Sequence, residues 1–265
     1  EVGLTYPYYY AKTFWDGLKA EGETDVACLT RAAYPGSQTF GAIVWNGDIP
    51  STWQALRESV VSGLSMAMCG IPWWNSDIGG FHSGDIESDY FRELIVRWFQ
   101  FGLFSPVMRL HGSRRRTSYQ VDRHPGVKER SGGDNEIWCF GEANTPVLAG
   151  YIHLRERMKP YILACARRTS QTGEPIMRPM FFDFPEDSIC YELDDQYMFG
   201  PDILFAPIME TKTTQREVYL PAGKWVRVGG GERETLEGGR TVTCRAELSE
   251  FIAFVREGAE VLSIF

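Results

Sequence analysis

The chain has 265 residues, of which 43% are hydrophobic and 14% aromatic, so it can bury a sizeable core as one large domain or two modest ones. Its net charge of −8 argues against a nucleic-acid partner, which requires a basic surface. No apolar run approaches the roughly 18 residues of a membrane-spanning helix, so we expect no membrane association.

Neither a metal nor an organic cofactor is indicated. The six cysteines form no CxxC motif and have no histidine at metal-ligand spacing, which predicts reduced, buried thiols. Gly-rich phosphate loops and the HExxH motif are absent from the sequence. The one basic cluster, Arg114-Arg115-Arg116, predicts a solvated loop.

The first two-thirds of the sequence alternates short apolar runs with helical patterns. The apolar runs predict four strands, at residues 25–32, 42–48, 71–77 and 106–111. The helical patterns predict three helices: one opened by a capping box of Ser51 and Gln54 and ended by Gly70, one near Ser88–Phe101, and one beginning at Asn144 and Pro146. Alternating strands and helices indicate a parallel sheet.

Each predicted strand ends in polar side chains, namely Arg31, Asp48, Asp77, and Arg109 with His111. In a βα-barrel the carboxyl ends of the strands form the active-site face, so these groups would meet at one rim. A doubly wound sheet also binds ligands at that edge and remains the competing fold.

The pattern changes from about residue 172, where short apolar runs are separated by Pro- and Gly-containing turns. Five of these runs predict antiparallel strands, at 203–207, 217–220, 225–228, 241–244 and 251–255. We expect residues 1–171 to form the C-terminal portion of a (β/α)8 barrel and residues 172–265 to form a β-sandwich. A complete barrel has eight strands, so the sequence predicts only half of one.

Two aspartates carry the strongest chemical signal. Asp48 follows an apolar strand and is flanked by Trp45, whose ring can exclude water from a general acid. Asp77 precedes two glycines, which allow a close approach to a ligand. From pattern alone, Asp48 could instead cap the following helix and Asp77 could stabilise a turn. Arg31 could pair with either carboxylate.

Five segments then resemble successive blocks of glycoside hydrolase family 31, in order along the whole chain. They are WNGDIPSTW, GIPWWNSDIGGF, RWFQFGLFSPVMRLHG, EPIMRPMFFDFP and YMFGPDILFAPI. The resemblance implies retaining hydrolysis of a terminal α-linked glucose or xylose by a carboxylate pair on a (β/α)8 barrel. It also implies that Asp48 is the general acid/base. The other site residues would bind sugar hydroxyls (Arg31, Asp77, Arg109 and His111) or line the pocket (Trp45 and Phe81).

The resemblance fails at one point. The family's nucleophile is an aspartate in a DFGE-like block, which this sequence lacks. We expect the nucleophile strand to precede residue 1, and a half-barrel alone to self-associate through its uncovered edges. Two alternatives to hydrolysis stay open: transglycosylation, and carbohydrate binding without catalysis.

Overall fold

The computed structural model describes residues 2–114, 132–231 and 233–265 of the chain. Its helices are α1 (Val2–Ala20), α2 (Trp53–Met68), α3 (Asp89–Leu103), α4 (Thr145–Thr172) and α5 (Met180–Asp183). Its strands are β1 (Cys28–Thr30), β2 (Ala42–Trp45), β3 (Trp74–Asn75), β4 (Met177–Pro179), β5 (Tyr197–Phe199), β6 (Ile203–Phe205), β7 (Gln215–Leu220), β8 (Lys224–Val228), β9 (Thr235–Glu237), β10 (Arg240–Arg245) and β11 (Ala253–Arg256).

A parallel sheet of order β1-β2-β3 forms the centre of the first region, as the alternation of strands and helices predicts. The predicted strand at 106–111 is wrong, because this segment is not a strand in the structure. It lies beside β3, where the Val107 amide donates to Trp74 at 3.3 Å and Arg109 accepts from the Ile78 amide at 3.2 Å. These two bonds do not make the continuous ladder that a strand assignment requires.

Helix α2 begins one residue later than the sequence predicts. Thr52 is the N-cap, and its side chain accepts a hydrogen bond from the Ala55 amide at 3.1 Å. The predicted capping box is therefore wrong: Gln54 is exposed, and the buried Ser51 accepts a hydrogen bond from Arg114 instead. The two adjacent hydroxyls thus have different roles: that of Thr52 caps the helix, and that of Ser51 binds an arginine distant in sequence.

The other two predicted helices are confirmed. Ser88 caps α3 by accepting from the Phe91 amide at 3.2 Å, and almost every side chain from Leu94 onward in this helix is buried. Asn144 precedes α4, which has Pro146 in its first turn and packs along α3. Helix α3 therefore lies inside the molecule, between the parallel sheet and the elements that follow.

The last region is a sandwich of two antiparallel sheets. One sheet has the order β4-β5-β6-β11-β8-β9, and the other pairs β10 with β7. Side chains of the larger sheet alternate between two cores, as a pleated strand requires. Phe205 and Val255 join the core shared with the helices, whereas Leu204 and Phe254 pack in a second core with the smaller sheet. The predicted sandwich is confirmed.

Candidate active site

Asp48 lies in the loop between β2 and α2, at the edge of the sheet that the carboxyl ends of the strands form. Gly47 precedes it with a φ of 77°, a left-handed conformation that favours glycine. The Asp48 carboxylate forms an ion pair with Arg31, with 2.8 Å between Oδ2 and Nη2, and its side chain is 35% exposed. Since Thr52 caps α2, Asp48 is not the helix cap. Apart from its ion pair with Arg31, the Asp48 carboxylate is accessible to a substrate at the surface of the site.

Asp77 follows β3 and is wholly buried, with 0% of its side chain exposed. One carboxylate oxygen accepts a hydrogen bond from Arg109, and Oδ2 has no partner among the described residues. Burial raises the pKa of Asp77, although the nearby charges of Arg109 and His111 act to lower it, and the charge of Asp48 raises it further. Asp77 therefore presents a fixed, unpaired acceptor inside the site.

The ring of Trp45 connects the two ion pairs. The Cζ atom of Arg31 lies 5.4 Å from the centroid of this ring, and that of Arg109 lies 5.8 Å from it. At these separations both guanidinium groups are attracted to the π-system. The Trp45 Nε1 has no hydrogen-bond partner among the described residues. Trp45 thus gives the site an apolar wall between its two arginines.

Phe81 and His111 form the other side of the rim, with ring centroids 5.0 Å apart. The His111 Nδ1 accepts a hydrogen bond from the Ser113 amide at 3.1 Å. A neutral His111 then carries its proton on Nε2, where it can donate to a ligand. The backbone carbonyl of His111 accepts from the Asn135 side chain at 2.8 Å.

The seven residues expected at the rim thus form a connected set. Arg31 contacts Asp48 and Trp45, and Arg109 contacts Trp45 and Asp77. Phe81 contacts His111, and its amide donates to the carbonyl of Ile49, the residue after Asp48, at 2.8 Å.

Arg114 is the residue that sequence reasoning missed. The predicted solvated loop is wrong for this arginine, because its side chain is 0% exposed. Its guanidinium group contacts Ser51, Gly79 and Asn135. No signal in the local sequence distinguishes it from Arg115 and Arg116, which lie outside the described residues.

Within residues 2–114, 132–231 and 233–265, no cluster of histidine, cysteine and acidic side chains could hold a metal ion. No helix in the same ranges is long and apolar enough to cross a membrane. All six cysteines are free thiols, but the predicted burial holds only for Cys165, Cys190 and Cys244 and is wrong for the other three.

Fold and site together define a class: part of a βα-barrel with charged and aromatic side chains at its strand ends, followed by a β-sandwich. Two family models match the chain, the "Glycosyl hydrolases family 31 TIM-barrel domain" over residues 1–165 and the "Glycosyl hydrolase family 31 C-terminal domain" over residues 173–261. The chain therefore belongs to glycoside hydrolase family 31, which confirms the resemblance. Its parallel sheet is part of the second half of a (β/α)8 barrel, which excludes the doubly wound fold.

Similar proteins cover nearly the whole chain. An α-xylosidase of Saccharolobus solfataricus is 37% identical over 255 residues, which is 96% of this chain and 32% of that protein. An isomaltosyltransferase of Sporosarcina globispora is 32% identical over 98% of this chain and 22% of its own length.

Solved structures agree with these relatives. The crystal structure of a family 31 α-xylosidase from a soil metagenome, complexed with xylose, superposes with a TM-score of 0.88 and 42% identity, over 98% of this chain and 39% of that one. A family 31 dextranase of Flavobacterium johnsoniae in complex with isomaltotriose gives a TM-score of 0.85 and 30% identity, over 98% and 30% of the two chains. The chain spans about a third of the length of the α-xylosidase relative.

Proposed function

We propose that the full-length protein is a retaining α-glycosidase that hydrolyses terminal α-linked glucose or xylose from oligo- or polysaccharides. One observation carries this proposal: at the rim of a family 31 barrel, the solvent-accessible carboxylate of Asp48 lies near the buried, arginine-anchored carboxylate of Asp77. The names of the α-xylosidase and α-glucosidase relatives support both sugars.

Asp48 is the proposed general acid/base. In the first step its carboxylic acid donates a proton to the glycosidic oxygen as the bond to the anomeric carbon breaks and a nucleophilic carboxylate takes the sugar. In the second step the Asp48 carboxylate removes a proton from water, whose oxygen displaces the nucleophile. Partial exposure of Asp48 supports this role, because the glycosidic oxygen and the attacking water must both reach its carboxyl group.

The remaining rim residues are proposed to bind the sugar. Oδ2 of Asp77, which has no partner in the described part of the chain, is a suitable acceptor for a sugar hydroxyl, and Arg31, Arg109 and His111 supply donors. Burial holds the Asp77 carboxylate in a fixed position. A buried oxygen that has no partner among the described residues favours binding of a ligand that donates a hydrogen bond to it. Trp45 and Phe81 offer ring faces to the apolar side of the sugar.

The nucleophile is proposed to come from a part of the barrel outside these 265 residues. The three parallel strands in the described part of the chain are too few to close an eight-stranded barrel, and the chain corresponds to about a third of its α-xylosidase relative. A retaining mechanism requires a second carboxyl group about 5–5.5 Å from the first. We also propose the boundary between residues 171 and 172 as the domain division, since α4 ends at Thr172 and antiparallel pairing begins with β4.

A transferase is the second candidate, and the similarity to an isomaltosyltransferase favours it. The chemistry of Asp48 is then unchanged, except that an acceptor sugar hydroxyl replaces water in the second step. Hydrolysis and transfer differ only in what occupies the acceptor position.

The 265-residue chain by itself is proposed to turn over no α-glycoside and to self-associate. Helix α1 exposes a set of apolar side chains that a barrel would cover, namely Leu4, Tyr6, Tyr9, Tyr10, Phe14 and Leu18. Light scattering of the purified chain, with an aryl α-xyloside assay, tests both statements. Turnover by a clean monomer would contradict them. A full-length protein without a nucleophile block would favour the non-catalytic alternative.

The stereochemistry of the reaction tests the proposed function. Proton NMR of the full-length protein with aryl α-xyloside and aryl α-glucoside should record the α anomer as the first product, before mutarotation. A first product of β configuration would exclude the retaining mechanism. Adding an acceptor sugar to the same assay separates the two candidates, because a transferase forms a new disaccharide at the expense of free sugar.

A further inference from the structure

We propose that Arg114 is a positioning residue that fixes the Asp48 loop, the Asp77 loop and His111 relative to one another. This inference rests on the proposed function and assigns a role to a residue outside the sugar-contacting set. Arg114 lies behind the rim, where its guanidinium group is 4.2 Å from the ring centroid of Phe91 in α3. Its backbone exchanges two hydrogen bonds with Gly133, of 3.0 and 2.8 Å. Both ends of the residue are therefore fixed.

Among the described residues the guanidinium group of Arg114 has three acceptors: two lie on the segments of Asp48 and Asp77, and the third is linked to His111 by a hydrogen bond. Nη2 donates to the Ser51 hydroxyl at 2.6 Å, three residues after Asp48. It also donates to the Gly79 carbonyl at 3.3 Å, two residues after Asp77. Nη1 donates to the Asn135 Oδ1 at 2.9 Å. Asn135 in turn donates to the His111 carbonyl at 2.8 Å.

These segments also contact each other directly, so a change at one is transmitted to the next. The Phe81 amide donates to the Ile49 carbonyl at 2.8 Å, and the Ser51 amide donates to the His82 carbonyl at 2.8 Å. The loop after β2 and the loop after β3 therefore form one packed unit. A planar group with several donors in fixed directions can hold such a unit in a single geometry.

The surroundings of Arg114 fit a positioning role better than a role in charge pairing. No carboxylate among the described residues forms an ion pair with it; burial lowers its pKa to about 10, and the nearby charge of Asp77 only partly opposes this. Gly84 makes room for the group, because a Cβ there would lie 2.2 Å from Nη2. A lysine has one compact ammonium group and cannot reach all three acceptors together.

Three variants of the full-length enzyme test the hydrogen bonds of Arg114 on the Asp48 side and on the His111 side, separately and together. Ser51→Ala removes the bond on the Asp48 side, Asn135→Ala removes the bond on the His111 side, and Arg114→Lys loosens both. The matched control is Arg97→Lys. Arg97 is also buried, at 1% exposure, and it also donates to neutral acceptors, but apart from Gln100 in α3 these are carbonyls of the sandwich, such as those of Ala246 and Glu250.

The readout is kcat/KM for two substrates, a disaccharide and a nitrophenyl glycoside of the same sugar. Displacement of Asp48 should lower kcat/KM most for the disaccharide, because its leaving group needs a proton. Ser51→Ala should therefore lower the disaccharide value about tenfold and the nitrophenyl value less than about twofold, a part of the 10²–10⁴-fold that a general acid supplies. Asn135→Ala should lower both values alike through KM. Arg114→Lys should show both defects, whereas Arg97→Lys lowers the unfolding temperature and keeps the ratio of the two substrates.

An unchanged substrate ratio in Ser51→Ala and Arg114→Lys would overturn the inference, as would an equal change in Arg97→Lys. Asp48→Ala belongs in the same series, because it separates the inference from the proposed function. If Asp48→Ala changes the ratio and Arg114→Lys does not, the inference alone fails. If Asp48→Ala leaves the ratio unchanged, the proposed role of Asp48 fails and the inference fails with it.

Discussion

Asp48 and Asp77 follow neighbouring strands of one sheet, and each forms an ion pair with an arginine, but the two pairs lie in different surroundings. In the Asp48 pair the side chain of Arg31 is 61% exposed and that of Asp48 is 35% exposed. In the Asp77 pair the corresponding values are 26% for Arg109 and 0% for the carboxylate. The same two residue types, at equivalent positions in a βα unit, are therefore held in different ways.

The difference in exposure suits the two carboxylates to different roles: Asp48 can transfer a proton, whereas Asp77 presents an oxygen in a fixed position. An ion pair in solvent contributes little and opens at little cost, so Asp48 can lose and regain its proton during a reaction. A buried carboxylate depends on its partner, and removal of that partner leaves an uncompensated charge. We infer that the exposed pair serves the proton transfer and that the buried pair serves sugar binding.

Removing Arg109 should give the largest loss of stability. We expect Arg109→Ala to lower the free energy of unfolding by about 3 kcal/mol, because the buried Asp77 carboxylate loses its partner. Arg31→Ala is the matched control at the exposed pair and should cost less than about 1 kcal/mol. Denaturant unfolding of the full-length protein measures both. Adding Asp77→Asn to Arg109→Ala should recover part of the loss, and equal costs for the two arginines would contradict the comparison.

A smaller loss is expected at the start of the helix that follows Asp48. Thr52→Ala should cost about 1 kcal/mol, because the Ala55 amide loses its side-chain acceptor. The neighbouring Gln54→Ala is the control, since the exposed Gln54 does not cap the helix. Thermal unfolding of both variants tests the corrected cap. A larger effect of Gln54→Ala would restore the predicted capping box.

The smallest effect is a pH dependence at Asp77. Burial raises the folded-state pKa of Asp77 above its usual 3.8, while Arg109 and His111 offset part of the rise. Between 3.8 and the folded pKa the folded protein holds the proton that the unfolded chain has lost, so stability falls as pH rises through this window. The wild type should therefore gain stability relative to Asp77→Asn when the pH falls from about 6 to about 4. A relative loss on acidification would mean that the arginine outweighs burial.

The sequence predicted those features that depend on local patterns. The helical spacing located α3, Asn144 and Pro146 located the start of α4, and the polar residues at strand ends located Asp48 and Asp77. The segment 106–111 was predicted wrongly because its alternating pattern is that of a strand, whereas its two hydrogen bonds to the segment of β3 do not form a continuous ladder.

Arg114 could not be predicted, because everything that distinguishes it is distant in sequence. Its acceptors Ser51, Gly79 and Asn135 are 63, 35 and 21 residues away. Three consecutive arginines normally indicate a solvated loop, and only the tertiary fold buries the first of them. The greater exposure of Asp48 than of Asp77 could likewise not be predicted from the sequence, because both residues follow apolar strands.

The most direct test of the role of Asp48 is the product that its alanine variant forms with azide. With a nitrophenyl α-glycoside, Asp48→Ala in the full-length protein should still form the covalent intermediate, because this leaving group needs little protonation. Azide should then attack that intermediate without a general base and release a glycosyl azide of α configuration, at a rate that increases with azide concentration. NMR of the product identifies the anomer. A β-glycosyl azide would mean direct attack on the substrate and would make Asp48 the nucleophile, and the absence of any rescue would contradict its role as acid/base.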